Sequence, residues 1–223
     1  MEVTRLYDIL DHYLEKYPNQ DAALVSKKAG VWQKISIQEY VSQTNLISYG
    51  LMALGVEKGD NVGLVSGNRP EWNMIDFAIM QIGAVSVPIY PNISQEDYRH
   101  ILNHAEMKVI FIDGKDLRGK LEPIMPEVKS LKEIYTFTEV GAKYKNLNNL
   151  IELGKDNEQP EKLEGIKASI RPEELATIIY TSGTTGVQKG VMLSHSNIVS
   201  QIHNLKMTPA EWSKKALSFL PLC

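Results

Sequence analysis

Cysteine is nearly absent from this chain. Its 223 residues hold one, Cys223, so an internal disulfide is excluded and a reducing compartment, the cytoplasm, is expected. A basic excess is missing too. The 24 Lys and Arg against 27 Asp and Glu leave a net charge of −3, which argues against nucleic acid, whose binders present a basic face. Long hydrophobic runs are also lacking. The most apolar region, residues 74–90, is interrupted by Asp76, Gln81 and Pro88, too short and broken for a bilayer span. The N-terminus carries Glu2 and Asp8 and has no apolar core, unlike a secretory leader. No metal cluster is evident either. His100 and His104 stand four apart, but Ile101 occupies the place where a two-histidine zinc motif carries glutamate, so a solvated helix face is expected.

What is present is an ordinary globular composition, 43% hydrophobic and 23% charged, with length enough to bury a core. Periodicity alternates between strand and helix. A helix is expected over 6–17 and two strands over 22–26 and 31–35, around the turn at Lys27 to Gly30. Ser36 with Glu39 opens a helix that Gly55 stops; strands follow at 61–66, 84–87 and 108–112, with helices at 71–82 and, capped by Ser94, to His104. Such alternation predicts an α/β fold with mainly parallel sheets flanked by helices. Residues 154–174 are charged, hold Pro160 and Pro172, and read as a surface connection. Met80, Met192 and Met207 read as gap-filling core residues.

That connection leads to the apolar strand 175–179 and then to Tyr180-Thr181-Ser182-Gly183-Thr184-Thr185-Gly186-Val187-Gln188-Lys189-Gly190. Glycines allow a tight turn and bring backbone N–H groups close to an anion. The hydroxyls of Thr181, Ser182, Thr184 and Thr185 add donors, and Lys189 adds a positive charge. These are the parts of a polyphosphate cradle over 180–190; by composition alone a flexible Gly/Ser/Thr connection competes evenly with it. A second stretch, Gly114 to Lys120, has P-loop spacing. Leu121 stands where the magnesium-holding hydroxyl would be and Asp116 would repel phosphate, so a turn into a helix is expected there.

The order Y-T-S-G-T-T-G-x-x-K-G decides between cradle and connection. It resembles the phosphate-binding signature of the AMP-forming, adenylate-forming enzymes: acyl-CoA synthetases, luciferases and peptide-synthetase adenylation domains. Ten of the eleven positions fit, and Gln188 replaces the usual proline. Residues 55–72, and Gly83-Ala84-Val85-Ser86-Val87-Pro88-Ile89-Tyr90, resemble the same enzymes. Asn68-Arg69-Pro70-Glu71-Trp72 is most similar to the long-chain fatty acid–CoA ligase branch, although the residues themselves suggest structural roles. His195 matches a position where the family commonly has histidine, leaving two readings open: a base near substrate, or the start of a helix to which Asn197 also belongs.

The resemblance implies that the full-length protein activates a fatty acid with ATP and magnesium, then transfers the acyl group to coenzyme A. It implies that Thr181, Ser182, Gly183, Thr184, Thr185, Gly186 and Lys189 hold the ATP phosphates, with Lys189 also balancing developing charge. Residues 1–223 are expected to be part of an N-terminal domain, because the resemblance places adenine, ribose and acceptor machinery further along, and to be inactive alone. Peripheral membrane contact by the whole protein stays open. Two alternatives also remain: an adenylate-forming enzyme with another acid or acceptor, or a non-catalytic nucleotide-binding module.

Overall fold

Short apolar runs separated by helices become one sheet in the computed structural model, which describes residues 2–142, 144–182, 187–206 and 218. Along the chain lie α1 (Asp8–Lys16), β1 (Leu24–Lys28), β2 (Val31–Ile35), α2 (Ile37–Ala53), β3 (Asn61–Val65), α3 (Pro70–Gln81), β4 (Val85–Pro88) and α4 (Gln95–His104). Then come β5 (Val109–Ile112), α5 (Gly114–Leu121), β6 (Glu133–Thr136), α6 (Leu147–Asp156), α7 (Pro160–Ser169), β7 (Leu175–Ser182), β8 (Gln188–Ser194) and α8 (His195–Lys206). β1 and β2 form a separate antiparallel hairpin. The main sheet has the order β6-β5-β3-β4-β7-β8, parallel throughout except for the antiparallel β7–β8 pair. The expected α/β class is what the chain forms. Among the described residues, no helix is long and apolar enough to cross a membrane.

Burial on both faces explains the continuous apolar strands. In β5, Val109 and Phe111 join a core with α2, α3 and α6, whereas Ile110 and Ile112 join a second core with α4 and Leu121 of α5. Polar residues at the helix starts hold the helices in place. Ser36 accepts the Glu39 N–H, Ser94 and Asp97 cap each other, and Asn146 and Asn149 do the same. Pro70 sits in the first turn of α3, where its missing N–H costs nothing.

α2 and α6 approach backbone to backbone. A Cβ on Gly154 would run into the Leu46 carbonyl oxygen, and one on Gly50 into the Leu150 carbonyl oxygen. Only glycine fits at either position.

Two expectations need correction. The stretch 154–174 is more than a surface connection: it contains α7, with Leu163, Lys167 and Ile170 buried. Pro160, read as a breaker, occupies the first turn instead. Met192 is 66% exposed, because it lies on β8 at the edge of the sheet rather than in the core. Met80 is buried as expected, and Met207 lies outside the described residues.

The N-terminal segment closes the far side. Tyr7 donates its hydroxyl to the Lys167 carbonyl at 2.8 Å, and Arg5 donates to the same oxygen at 2.6 Å. Burial works to raise the Asp8 carboxyl, but bonds from Arg5 and Thr4 outweigh it and hold the group below the usual carboxylate range. Lys167 pairs with Asp11 and Glu164, each at 2.8 Å.

Candidate functional site

The glycine-rich segment joins β7 to β8 at their hairpin end. Gly183, Thr184, Thr185 and Gly186 lie outside the described residues, as does the Ser182 side chain. The strands reach further into the segment than the sequence suggests. Tyr180, Thr181 and Ser182 finish β7, while Gln188, Lys189 and Gly190 begin β8. Thr181 pairs with Lys189 and Ser182 with Gln188.

Cross-strand partners share a face of the sheet. The Thr181 hydroxyl and the Lys189 ammonium therefore stand side by side at the mouth of the turn, both exposed. No carboxylate among the described residues pairs with Lys189. An exposed hydroxyl beside an unneutralised ammonium is a set for an anion. It is a poor set for a hard cation, which takes carboxylate and carbonyl oxygens. Among the described residues, no group of three His, Cys, Asp or Glu could hold a metal ion.

Tyr180 and Gly190 form the next cross-strand pair, on the opposite face. A Cβ on Gly190 would come within 2.7 Å of Ile178 Cγ2 and 3.3 Å of Tyr180 Cζ, so glycine makes room for the tyrosine ring. Tyr180 is buried against the α4 core, and its Oη lies 2.7 Å from His104 Nδ1. His100 Nε2 lies 3.0 Å from the Gln188 carbonyl oxygen. That carbonyl can only accept, which assigns a proton to Nε2 of His100. The two histidines lie on a partly solvated helix face as expected, His100 half-buried and His104 exposed, and are also bonded to the two arms of the hairpin. Sequence spacing carries no trace of this, because the partners lie 76 and 88 residues away.

His195 resolves to the second of its two readings. It opens α8, is 1% exposed, and its Nδ1 accepts the Leu6 N–H at 3.3 Å, with the ring edge-on to Tyr7. Burial lowers its pKa to about 4. A neutral, enclosed imidazole that spends its lone pair on the backbone is an anchor, not a base for substrate. Ser194 and Asn197 cap the helix reciprocally, at 3.0 and 3.2 Å.

Arg69 of the Asn68–Trp72 stretch bonds Asp113 at 2.9 Å and lies over the Phe137 ring, tying together the ends of the parallel strands. Trp72 is buried in the α2–α3 core. The P-loop-like Gly114 to Lys120 is α5 itself, so its N–H groups belong to a helix rather than a loop.

The sequence model of the AMP-binding enzyme family matches residues 10–223. The long-chain-fatty-acid–CoA ligase FadD15 of Mycobacterium bovis is 36% identical over 196 residues, covering 86% of this chain and 32% of that protein. The crystal structure of the anthranilate CoA ligase AuaEII with anthranoyl-AMP superposes with a TM-score of 0.74 at 25% identity, over 86% of this chain and 35% of its own. A long-chain-fatty-acid-CoA ligase (FadD1) from Archaeoglobus fulgidus gives 0.73 at 24% identity, over 90% and 38%, a likeness of fold. The chain spans about a third of the length of the relatives it matches.

Proposed function

This chain belongs to the AMP-binding enzyme family, and from that premise we propose that it holds the ATP phosphates in a ligase that joins a long-chain fatty acid to coenzyme A. The fatty acid carboxylate attacks the α-phosphorus of ATP and pyrophosphate leaves. The coenzyme A thiolate then attacks the acyl carbon of the adenylate, giving the thioester and AMP. The observation that carries the reading is the exposed Thr181–Lys189 pair, a cation with no carboxylate partner among the described residues, in register with a hydroxyl at the hairpin end of β7 and β8.

Thr181, Ser182, Gly183, Thr184, Thr185 and Gly186 supply hydroxyl and amide donors to the β- and γ-phosphates. Lys189 offsets charge growing on departing pyrophosphate. Donors of this kind act by positioning and electrostatics rather than by covalent chemistry. Magnesium, which commonly accompanies ATP, finds no set of oxygen ligands at Thr181 and Lys189. The long-chain choice is supported by the relatives' names, as with FadD15. A cytoplasmic location is supported by the single cysteine.

The test uses the full-length protein with ATP, coenzyme A and palmitate, the products identified by mass spectrometry. Palmitoyl-CoA with AMP and pyrophosphate is expected; ADP and phosphate, or no thioester with any fatty acid, overturns the assignment. Lys189→Ala should slow ATP–pyrophosphate exchange about 10²-fold or more, as loss of a preorganised charge does. An unchanged exchange rate removes Lys189 from the chemistry.

A further inference from the structure

Helix α4 makes two hydrogen bonds to the hairpin, one to each arm. His104 Nδ1 meets the Tyr180 hydroxyl on β7 at 2.7 Å. His100 Nε2 donates to the Gln188 carbonyl on β8 at 3.0 Å. The helix behind these groups is firmly set. Ser94 and Asp97 cap it, while Tyr98, Ile101 and Leu102 are buried beneath it. The two imidazoles lie one above the other, 5.4 Å apart, as residues one turn apart do.

We infer that α4 is a positioning brace, in which His104 fixes the Tyr180 arm and His100 fixes the Gln188 arm of the phosphate hairpin. The register that sets Thr181 beside Lys189 is then held from the opposite face of the sheet. Gln188 lacks the backbone restriction a proline would impose, and the bond from His100 supplies a restraint at the same residue. Gly190 leaves room beside the Tyr180 ring, since a Cβ there would stand 2.7 Å from Ile178 Cγ2 and 3.3 Å from Tyr180 Cζ. His100 and His104 need not touch nucleotide; they act through Gln188 and Tyr180.

This inference rests on the hairpin being the phosphate cradle, so its test carries a control for that reading. In the full-length enzyme, His104→Ala and Tyr180→Phe should each lower kcat/KM for ATP about tenfold, the loss expected of one hydrogen bond. The double variant should lose no more than either alone, since both remove the same bond. The KM for fatty acid and the melting temperature should hold. His104→Asn, whose side-chain amide reaches the place of Nδ1, should recover most of the loss, and His100→Gln should do so against His100→Ala. Unchanged ATP kinetics, multiplying losses, or equal losses for both substrates with a lowered melting temperature overturns the brace. Lys189→Ala, run beside them, separates the two ideas. Slow exchange there with normal His104 variants overturns the brace alone, and normal exchange at Lys189→Ala overturns the cradle.

Discussion

Protonation of His195 links stability to acid. The imidazole titrates near 4 in the fold and near 6.5 when the chain is unfolded. A depressed pKa gives stability that is complete above 6.5 and is lost as pH falls from there toward 4. Asp76 works in the opposite sense: desolvation raises its carboxyl from 3.8 to about 7, so its contribution is complete below 3.8 and is lost as pH rises through 7. Two substitutions separate these slopes. His195→Asn keeps an acceptor for the Leu6 N–H without titrating, and should flatten the fall in melting temperature between pH 6.5 and 4. Asp76→Asn should raise the melting temperature at pH 8 and change little at pH 4. An acid limb unaltered in His195→Asn would show that the imidazole is not what the proton attacks. Neither environment is legible in sequence. His195 owes its shift to burial, and its ring is met by Leu6 from 189 residues away.

Among the elements, α6 and α7 offer a matched pair of glycines. Gly154 lies against the Leu46 carbonyl of α2, backbone that cannot move aside, whereas nothing lies within 4 Å of a Cβ built on Gly165 of α7. In an open helix, Gly→Ala gains up to about 1 kcal/mol. Gly165→Ala should follow that rule. Gly154→Ala should reverse it and cost about 3 kcal/mol through overpacking, read as a fall of roughly 6 °C or more in melting temperature. Equal effects of the two changes would mean that α2 and α6 do not meet as described. The same pair explains what sequence could deliver. The β5 run Val109-Ile110-Phe111-Ile112 and the Ser94 cap are local signals, and they mark their elements correctly. Gly154 and Pro160 are local breakers as well, but one is demanded by a distant carbonyl and the other serves the first turn of α7. Hence the region beyond 154 reads as connection although it holds the end of α6 and all of α7. The site divides the same way: its glycines, hydroxyls and lysine stand in one motif, while Tyr180, Gln188 and α4 come together only when β7 enters the sheet beside β4.

For the molecule as a whole, the phosphate hairpin alone should bind nucleotide poorly. A few charge-assisted hydrogen bonds, each about 1.5–3 kcal/mol when buried and less in water, stand against an association cost of at least about 4 kcal/mol. Calorimetric titration of residues 1–223 with Mg–ATP should give a Kd of roughly millimolar or weaker, and the same sample should make no acyl-CoA. Micromolar binding or measurable thioester would show that this third of the protein holds a complete site. The anchoring of the N-terminal segment also has a consequence for biosynthesis. Arg5 finds its carbonyl partner 162 residues later, and Leu6 its imidazole 189 residues later. At roughly 5–20 residues per second, a ribosome needs on the order of ten seconds or more to deliver those partners. β3 to β6 can pair in that interval, but Leu6 and Tyr7, buried at the end, are solvated throughout it. Leu6 and Tyr7 are thus made well before the residues they dock against, and until then they are a handle for chaperones and proteases.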